Sequence, residues 1–251
     1  MQPAANSTPS AEPASELDIR AAVGRGPTIV GRSKELYPLG ERHCLVRLIP
    51  SLTSFTHARD ELVPGTDKLR LDFYELAAAQ LRSAGIPVAF VRRVDETSYV
   101  AEFCPHPPFE VIVKNAAYGS TLRKYPGLFP PGHRFERPVV KFDYRTEPED
   151  EPIAEDYIRE LGYDPQRMKE IALATNEVLR EWLAPRDLID FCVVIGRSAD
   201  GTYVAVSEVS PDAMRLRAPD GSALDKDLFR NGATADEILT AWGAVSADLR
   251  A

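Results

Sequence analysis

Short runs of apolar residues, separated by polar and turn-forming residues, are the dominant pattern along the chain. Runs that fit β-strands lie at residues 27–39, 43–49, 88–94, 98–103, 109–114, 187–196 and 201–209. The first two runs are separated by Gly40 and charged residues, and the last two by the turn sequence at residues 198–201. Each of these two pairs therefore predicts a β-hairpin.

Helical periodicity is clearest in residues 69–85. Apolar residues of this segment recur on one helical face, and Gly85 supplies a C-cap; the face consists of Leu69, Phe73, Leu76, Ala77 and Leu81. A short helix is predicted at residues 154–162 and a longer one from Asp164-Pro165 to Trp182. Thr234 and Glu237 form a capping-box sequence that predicts a final helix over residues 235–249.

This order of elements, with hairpins in place of strict strand-helix-strand alternation, predicts an α+β protein with mainly antiparallel sheets. Residues 1–18 are rich in Pro, Ala and Ser and predict a disordered tail. The proline cluster at residues 105–108 predicts a hinge between an N-terminal domain of residues 19–104 and a C-terminal domain of residues 105–251. Residues 125–152 are rich in Pro, Gly and charge, which predicts an irregular segment kept for function or mobility.

Composition narrows the classes of function. The chain of 251 residues has 38 acidic and 30 basic residues, a net charge of -8, which argues against a general nucleic-acid or acidic-membrane binder. The three cysteines have no metal-binding spacing and predict reduced core residues in a cytoplasmic protein. The sequence shows neither a long apolar segment nor a secretion signal, so we expect no membrane partner.

The common catalytic motifs are absent: the sequence has no phosphate-binding P-loop, no dinucleotide-binding glycine motif, no nucleophile elbow and no zinc-protease motif. Short polar segments at predicted strand ends remain. In EVSPDAMRL, Pro211 stiffens the chain so that Asp212 and Arg215 leave the strand in defined directions. That arrangement suits a polar ligand, and it equally suits a surface turn with an internal ion pair.

Taken together, the segments GRSK, KNAAYGS, DF, SEVSPDAMRL and LDKDLFR resemble the SAICAR synthetase family. Members of that family are phosphoribosylaminoimidazole-succinocarboxamide synthases, ligases of purine biosynthesis that use ATP to join aspartate to a carboxylated aminoimidazole ribotide. The most specific part is SPDAMRL, which DKDLFR follows after eight residues, as SPD-x-x-R and DKD-x-FR do in the family. The resemblance implies a SAICAR synthetase-like fold of two subdomains, with nucleotide on the N-terminal side and substrate on the C-terminal side.

The resemblance also implies roles for individual residues. Residues expected to bind the phosphorylated substrate are Lys114, Ser120, Arg215, Lys226 and Arg230. Cations and a hydroxyl suit a phosphate monoester, because charge-assisted hydrogen bonds are the strong ones. Asp190 is expected to accept a hydrogen bond from an amine on the heterocycle, and Asp212 to orient Arg215 or the incoming amine. Residues expected on the nucleotide side are Gly31, Arg32, Ser33, Lys34 and Arg145.

The chain departs from the family's pattern where Mg²⁺ and the ATP phosphates are held. In DFCVVIG, Val194 stands where the family has a metal-binding glutamate, and Ser207 stands at the second metal carboxylate. Mg²⁺ is usually held by one or two carboxylates together with substrate phosphates. Glu208 is left as the candidate metal ligand and is a candidate catalytic residue together with Asp190 and Asp212. The resemblance implies ATP and Mg²⁺ as cofactors, and the replacements at Val194 and Ser207 argue against both.

Three interpretations follow. The first is an ATP-dependent ligase that forms an amide between a carboxylated, phosphorylated heterocycle and an amino acid such as aspartate, in purine-related or specialised nucleoside metabolism, for example nucleoside antibiotic biosynthesis. The second is an ATP-independent enzyme acting on a phosphorylated heterocyclic nucleoside. The third is a non-catalytic binding protein that has lost the Mg-ATP site. The sequence leaves the heterocycle, the amine and homo-oligomer formation open.

Overall fold

The computed structural model describes residues 15–54, 57–147 and 149–250. Its helices are α1 (Glu16–Arg25), α2 (Thr66–Ser83), α3 (Ser120–Lys124), α4 (Glu155–Glu160), α5 (Pro165–Trp182), α6 (Lys226–Arg230) and α7 (Ala235–Asp248), with a 3-10 helix at Pro211–Ala213. Its strands are β1 (Ile29–Val30), β2 (Lys34–Leu39), β3 (His43–Leu48), β4 (Ser51–Ser54), β5 (Arg59–Leu62), β6 (Phe90–Arg93), β7 (Ser98–Glu102), β8 (Phe109–Ala116), β9 (Arg134–Tyr144), β10 (Glu151–Pro152), β11 (Asp187–Val193), β12 (Ile195–Arg197), β13 (Tyr203–Ala205) and β14 (Met214–Arg217).

Two five-stranded sheets dominate the fold. The first has the strand order β1-β2-β3-β7-β6 and the second the order β10-β9-β8-β11-β14, and neighbouring strands are antiparallel in both. Two-stranded sheets join β4 to β5 and β12 to β13. The predicted α+β class with mainly antiparallel sheets is confirmed. None of the helices in the described residues is long and apolar enough to cross a bilayer.

The two sheets share one hydrophobic core. A single cluster of buried residues includes Val46 of the first sheet, Phe73 of α2, Val113 of the second sheet and Leu179 of α5. Helix α2 packs on β3 and β6 of the first sheet and against α5, and α5 packs on β8, β9 and β11 of the second sheet. The predicted domain boundary at residues 104/105 falls between the last strand of the first sheet and the first strand of the second, and it stays a prediction.

Several predicted elements agree with the structure. The first hairpin forms as β2 and β3, with Lys34 opposite Leu48 at its open end. Helix α2 begins three residues before the predicted start and ends two residues before Gly85, which has a φ of 75°. The Asp164 carboxylate caps α5 by accepting from the backbone N–H groups of residues 166 and 167. Thr234 and Glu237 form the predicted capping box of α7.

The second hairpin prediction, of residues 187–196 with residues 201–209, was wrong for the parts of both runs that lie far from the turn. Only β12 and β13 pair across the turn at residues 198–201, whereas β11 pairs with β8 and β14 in the second sheet. The chain changes sheets at Val194, because Val193 is the last residue paired with β8 and Ile195 the first paired with β13. The sequence does not reveal this change of sheet, because residues 187–196 form one continuous apolar run and both β11 and β12 are mainly buried.

Two other segments differ from expectation. The segment predicted to be irregular contains β9, an eleven-residue strand that lies between β10 and β8 in the second sheet. The predicted tail lies outside the described residues up to residue 14, and residues 16–18 are already helical. Ser15 and Asp18 form a capping box for α1, a short-range signal that the composition of the tail obscured.

The cap of α7 gives a test of the fold. Thr234→Ala removes the side chain that accepts from the Glu237 backbone N–H, so we expect the free energy of unfolding to fall by about 1 kcal/mol. Thr240→Ala is the matched control, because Thr240 is an exposed residue inside the same helix and alanine is the better helix former there. Chemical denaturation of both variants measures the difference; equal stability of the two would contradict the assigned cap.

Candidate functional site

The residues predicted to bind a phosphorylated substrate meet at one cavity of about 320 Å³, here called the substrate cavity. Its walls include Lys114, Ser120, Asp190, Asp212, Arg215, Lys226 and Arg230. Three of these residues lie side by side on adjacent strands: Lys114 of β8 is opposite Asp190 of β11, which is opposite Arg215 of β14. Directly opposed residues of antiparallel strands point to the same face of a sheet, so strand register brings these charges together.

Asp190 is the buried centre of this charged row. Its Oδ2 atom accepts from Lys114 Nζ at 3.0 Å and from Arg215 Nη1 at 2.7 Å. Burial alone would raise the pKa of Asp190, but the positive charges of Arg215 and Lys114 outweigh it and hold that pKa below its ordinary value. Asp190 therefore stays ionised, and no hydrogen bond to its other oxygen, Oδ1, is found among the described residues.

Arg215 is fixed by a second acid. Its Nε atom donates to Asp227 Oδ2 at 3.0 Å, and the same oxygen accepts from Arg217 Nη2 at 2.5 Å. Asp225 is fully buried and accepts from the backbone N–H of residue 216. Asp212 lines the cavity on the 3-10 helix, but the partners of Arg215 are Asp190 and Asp227. The expectation that Asp212 orients Arg215 or the incoming amine stays a prediction.

The backbone at Gly119 lies close to the Arg215 side chain. Gly119 precedes α3 with a φ of 56°, in the left-handed region that favours glycine. A Cβ atom at Gly119 would lie 2.5 Å from Arg215 Nη2. Glycine thus lets the Arg215 guanidinium lie against the backbone beside Ser120, which is the first residue of α3 and lines the cavity.

The residues predicted on the nucleotide side meet at a second cavity of about 650 Å³, here called the nucleotide cavity. Its lining includes all five predicted residues, namely Gly31, Arg32, Ser33, Lys34 and Arg145. Apolar side chains supply much of the rest, including Leu36, Val46, Ala101, Val194 and Val206. The cavity therefore combines an apolar wall with a cationic segment at the start of β2.

The two positions where carboxylates were expected from the family's pattern also lie in this cavity, and they touch each other. The Val194 backbone N–H donates to Ser207 Oγ at 2.9 Å. The Val206 backbone N–H donates to the Val194 carbonyl at 2.9 Å. These two residues, thirteen positions apart in sequence, thus form one local unit of the cavity wall.

Glu208 was predicted as a metal ligand and catalytic residue, but it lines neither the substrate cavity nor the nucleotide cavity. Its side chain is buried, with Oε1 accepting from Arg70 Nε at 3.0 Å and Oε2 accepting from Lys34 Nζ at 2.8 Å. Burial would raise the pKa of Glu208, but the charges of Arg70 and Lys34 lower it to about 2. With both oxygens paired, Glu208 is placed to hold Lys34 in position, and the geometry does not favour a metal-binding role.

Sequence reasoning missed some of the residues that organise these cavities. Arg70 is fully buried in α2, on the same face as Phe73 and Ala77, where an arginine among apolar residues is a usable signal of a buried acid partner. Asp225 and Asp227 were visible in LDKDLFR but were given no role. Glu110, Asp143 and Asp150 also line the substrate cavity, and no local motif marks them.

Among residues 15–54, 57–147 and 149–250, no group of three or more His, Cys, Asp or Glu side chains is arranged to hold a metal ion. The two cavities are neighbours, because residues that are adjacent or nearly adjacent in sequence line different cavities. Thr146 lines the substrate cavity and Arg145 the nucleotide cavity, and likewise Cys192 lines the substrate cavity and Val194 the nucleotide cavity. Groups bound in the two cavities would therefore meet near the end of β11.

Comparisons with known proteins identify the family of this chain. The family model described as SAICAR synthetase matches residues 28–245. The phosphoribosylaminoimidazole-succinocarboxamide synthase of Methanopyrus kandleri is 34% identical over 210 residues, covering 80% of this chain and 84% of that protein. Its counterpart from Methanocaldococcus jannaschii is 29% identical over 223 residues, covering 86% and 91%.

Solved structures give the same result for the fold. A structure described as SAICAR synthetase (Type-2) in complex with ADP superposes with a TM-score of 0.81 at 25% identity, covering 88% of this chain and 96% of that one. SAICAR synthetase from Pyrococcus horikoshii OT3 gives a TM-score of 0.78 at 25% identity, covering 86% and 98%. The match of the family model to most of the chain and the identity to the M. kandleri protein establish the relationship: this chain belongs to the SAICAR synthetase family.

Proposed function

We propose that this protein is an ATP-dependent ligase that forms an amide between the carboxylate of a phosphorylated heterocycle and an amine. One observation carries the proposal. Residues from four separate segments, all matching the family's substrate motifs, line a single cavity, and five matching its nucleotide segments line the cavity beside it. The relatives named as phosphoribosylaminoimidazole-succinocarboxamide synthases and the ADP complex of a structural neighbour support the same reaction class.

The substrate cavity is suited to a phosphate monoester. Arg215 is held on two sides by Asp190 and Asp227, so its guanidinium is ordered before a ligand arrives. Arg230 and Lys226 line the same wall from α6, and Ser120 adds a hydroxyl. Donors that are ordered in advance lose less conformational freedom on binding, which favours affinity. The phosphate would lie among these groups, and Asp190 Oδ1 would accept from an amine on the heterocycle.

The nucleotide cavity fits ATP as a co-substrate. The base would pack against Leu36, Val46 and Val206, while Lys34 and Arg145 face the phosphates. Lys34 is held at the cavity by its ion pair with Glu208. ATP would supply the activation that turns a carboxylate into an acyl donor, and the protein's part is to place the two reactants side by side at the end of β11.

The described residues do not offer Mg²⁺ a set of protein ligands. Val194 and Ser207 occupy the positions of the expected carboxylates, and Ser207 Oγ already accepts from the Val194 backbone N–H. This local unit favours a second candidate function, an ATP-independent enzyme acting on the same phosphorylated heterocycle, because a neutral wall suits a cavity that no cation visits.

Calorimetric titration of the protein distinguishes the two functions. Binding of ATP with Mg²⁺, followed by formation of an amide from a carboxylated aminoimidazole ribotide and an amine, would support the ligase. Binding of the ribotide with turnover that needs no ATP would support the second function. Ribotide binding without any turnover would contradict both and indicate a binding protein.

Arg215 gives the first prediction. Arg215→Ala should weaken binding of a carboxylated aminoimidazole ribotide by at least about 2 kcal/mol, because it removes a buried, hydrogen-bonded cation from the phosphate side. Arg215→Lys keeps the charge but loses the bidentate fork, and it should give an intermediate loss. Isothermal titration calorimetry measures both dissociation constants.

Arg180→Ala is the control for Arg215, because Arg180 is an exposed arginine of α5 that lines neither cavity. Circular dichroism melting checks that the Arg215 variants fold, since Arg215→Ala leaves Asp190 with Lys114 as its remaining cation in this row. An unchanged dissociation constant in a folded Arg215→Lys or Arg215→Ala variant would contradict the assignment of Arg215 to the phosphate-binding side of the substrate cavity.

Val194 and Ser207 give the second prediction. The double variant Val194→Glu/Ser207→Asp should raise the affinity for ATP in the presence of Mg²⁺, because it places two carboxylates together in the nucleotide cavity. The gain should disappear when EDTA removes the metal. A nucleotide-binding assay that shows no Mg²⁺-dependent gain in a folded double variant would mean that these positions do not correspond to the family's metal carboxylates.

A further inference from the structure

Two arginines that line the substrate cavity come from different elements. Arg215 belongs to β14, and Arg230 is the last residue of α6, a helix of five residues. Residues 218–225, which connect these two elements, form no helix or strand. A short helix after a loop does not by itself hold a long arginine side chain in one place, because the side chain keeps its rotamer freedom. Other contacts must therefore set the position of Arg230 relative to Arg215.

Asp227 of α6 contacts both arginines. Its Oδ2 atom accepts from Arg215 Nε at 3.0 Å, and its Oδ1 atom forms a longer ion pair with Arg230 Nη1 at 3.4 Å. Asp227 lines neither cavity, whereas Arg215 and Arg230 both line the substrate cavity. Asp227 therefore joins the two arginines without contacting the space in which a ligand would lie.

Asp227 is itself held in place by its neighbours. Its backbone N–H donates to Asp225 Oδ1 at 2.7 Å, which caps α6. Asp225 is fully buried, and its Oδ2 atom accepts from the backbone N–H of Leu216 in β14 at 2.5 Å. Arg217 forms ion pairs with both Asp225 and Asp227. These contacts attach α6 to β14 and fix the Asp227 carboxylate before any ligand binds.

The negative charge of Asp227 by itself disfavours an anion in the substrate cavity, because like charges repel. Burial would raise the pKa of Asp227, but the charges of Arg215 and Arg217 and the hydrogen bond from Arg217 outweigh it and lower that pKa, so Asp227 stays ionised. Its contacts act in the opposite direction to its charge. Arginines that are ordered in advance lose less side-chain entropy when a ligand binds, which strengthens binding.

We propose that Asp227 is a positioning residue for phosphate binding, which holds Arg215 and Arg230 at a spacing that lets both donate to one phosphate group. The inference rests on the proposed function and specifies how the phosphate side of the substrate cavity is organised. Two ordered guanidinium groups from different elements favour a phosphate monoester over a carboxylate, because a phosphate has three terminal oxygens that accept strong hydrogen bonds.

Calorimetric titration with ribose 5-phosphate tests the proposal, and the sign of the effect separates positioning from charge. Asp227→Asn removes a negative charge, so an effect of charge alone would strengthen binding. Loss of positioning should instead weaken binding at least about tenfold, the size expected for one lost charge-assisted hydrogen bond. Asp227→Glu keeps the charge but displaces the carboxylate, and it should also weaken binding. Asp236→Asn is the matched control and should leave the dissociation constant unchanged, because Asp236 is an exposed acid of α7 that lines neither cavity.

A double-variant cycle tests whether Asp227 acts through Arg230. In an Arg230→Ala background, Asp227→Asn should weaken binding by a smaller factor than in the unmodified protein, because one of the arginines that it positions is absent. A role only in folding would give the same factor in both backgrounds. Circular dichroism melting shows whether each variant is folded, and Asp227→Glu serves in the cycle if Asp227→Asn is not.

Equal or tighter binding of ribose 5-phosphate by a folded Asp227 variant, or the same factor in both backgrounds, would overturn the inference while leaving the proposed function in place. Absence of ribose 5-phosphate binding by the unmodified protein would remove the phosphate side of the proposed function and the inference with it. The titration contains no nucleotide, so the result is independent of whether the protein uses ATP.

Discussion

Asp190 is the group on which the rest of the substrate cavity depends. A buried carboxylate needs compensating charge, and here the strand register supplies Lys114 on one side and Arg215 on the other. The same contacts keep both cations in place and use only one of the two Asp190 oxygens, Oδ2. This arrangement requires glycine at position 119, because a side chain there would collide with the Arg215 guanidinium. A buried ion cluster of this kind contributes order to the cavity more than net stability.

The two cavities are connected by the same elements. Strand β11 supplies Asp190 to the substrate cavity, and the chain then leaves the sheet at Val194, which lines the nucleotide cavity. Glu208 makes a second connection, since it joins Arg70 of α2 to Lys34 at the edge of the nucleotide cavity. A phosphorylated heterocycle and a nucleotide bound in these positions would be brought together by the fold itself, which is the requirement for transfer between them.

Much of the fold could be predicted from local signals, and the misses have physical causes. The first hairpin, α5 and α7 depend on short-range turn and capping sequences, which act without tertiary partners. Strand β9 was missed because Pro138 and its flanking charges break the alternation, although its pairing with β8 is long. The break at Val194 was missed because the residues on both sides are buried, so the apolar pattern continues while the pairing partner changes. Pairing is a property of distant segments, and a single sequence does not show it.

The candidate site also has features that local motifs predict and features that depend on distant parts of the chain. SPD-x-x-R and DKD-x-FR have a fixed spacing, so the meeting of Arg215 and Arg230 at one cavity could be predicted from sequence, whereas the ion pair between Arg70 and Glu208 joins residues far apart along the chain. The decisive experiment is a crystal structure of the protein with ribose 5-phosphate. We expect the phosphate within hydrogen-bond distance of Arg215, Arg230 and Ser120, with the Lys114–Asp190–Arg215 row intact. Phosphate bound elsewhere, with these three groups untouched, would contradict it.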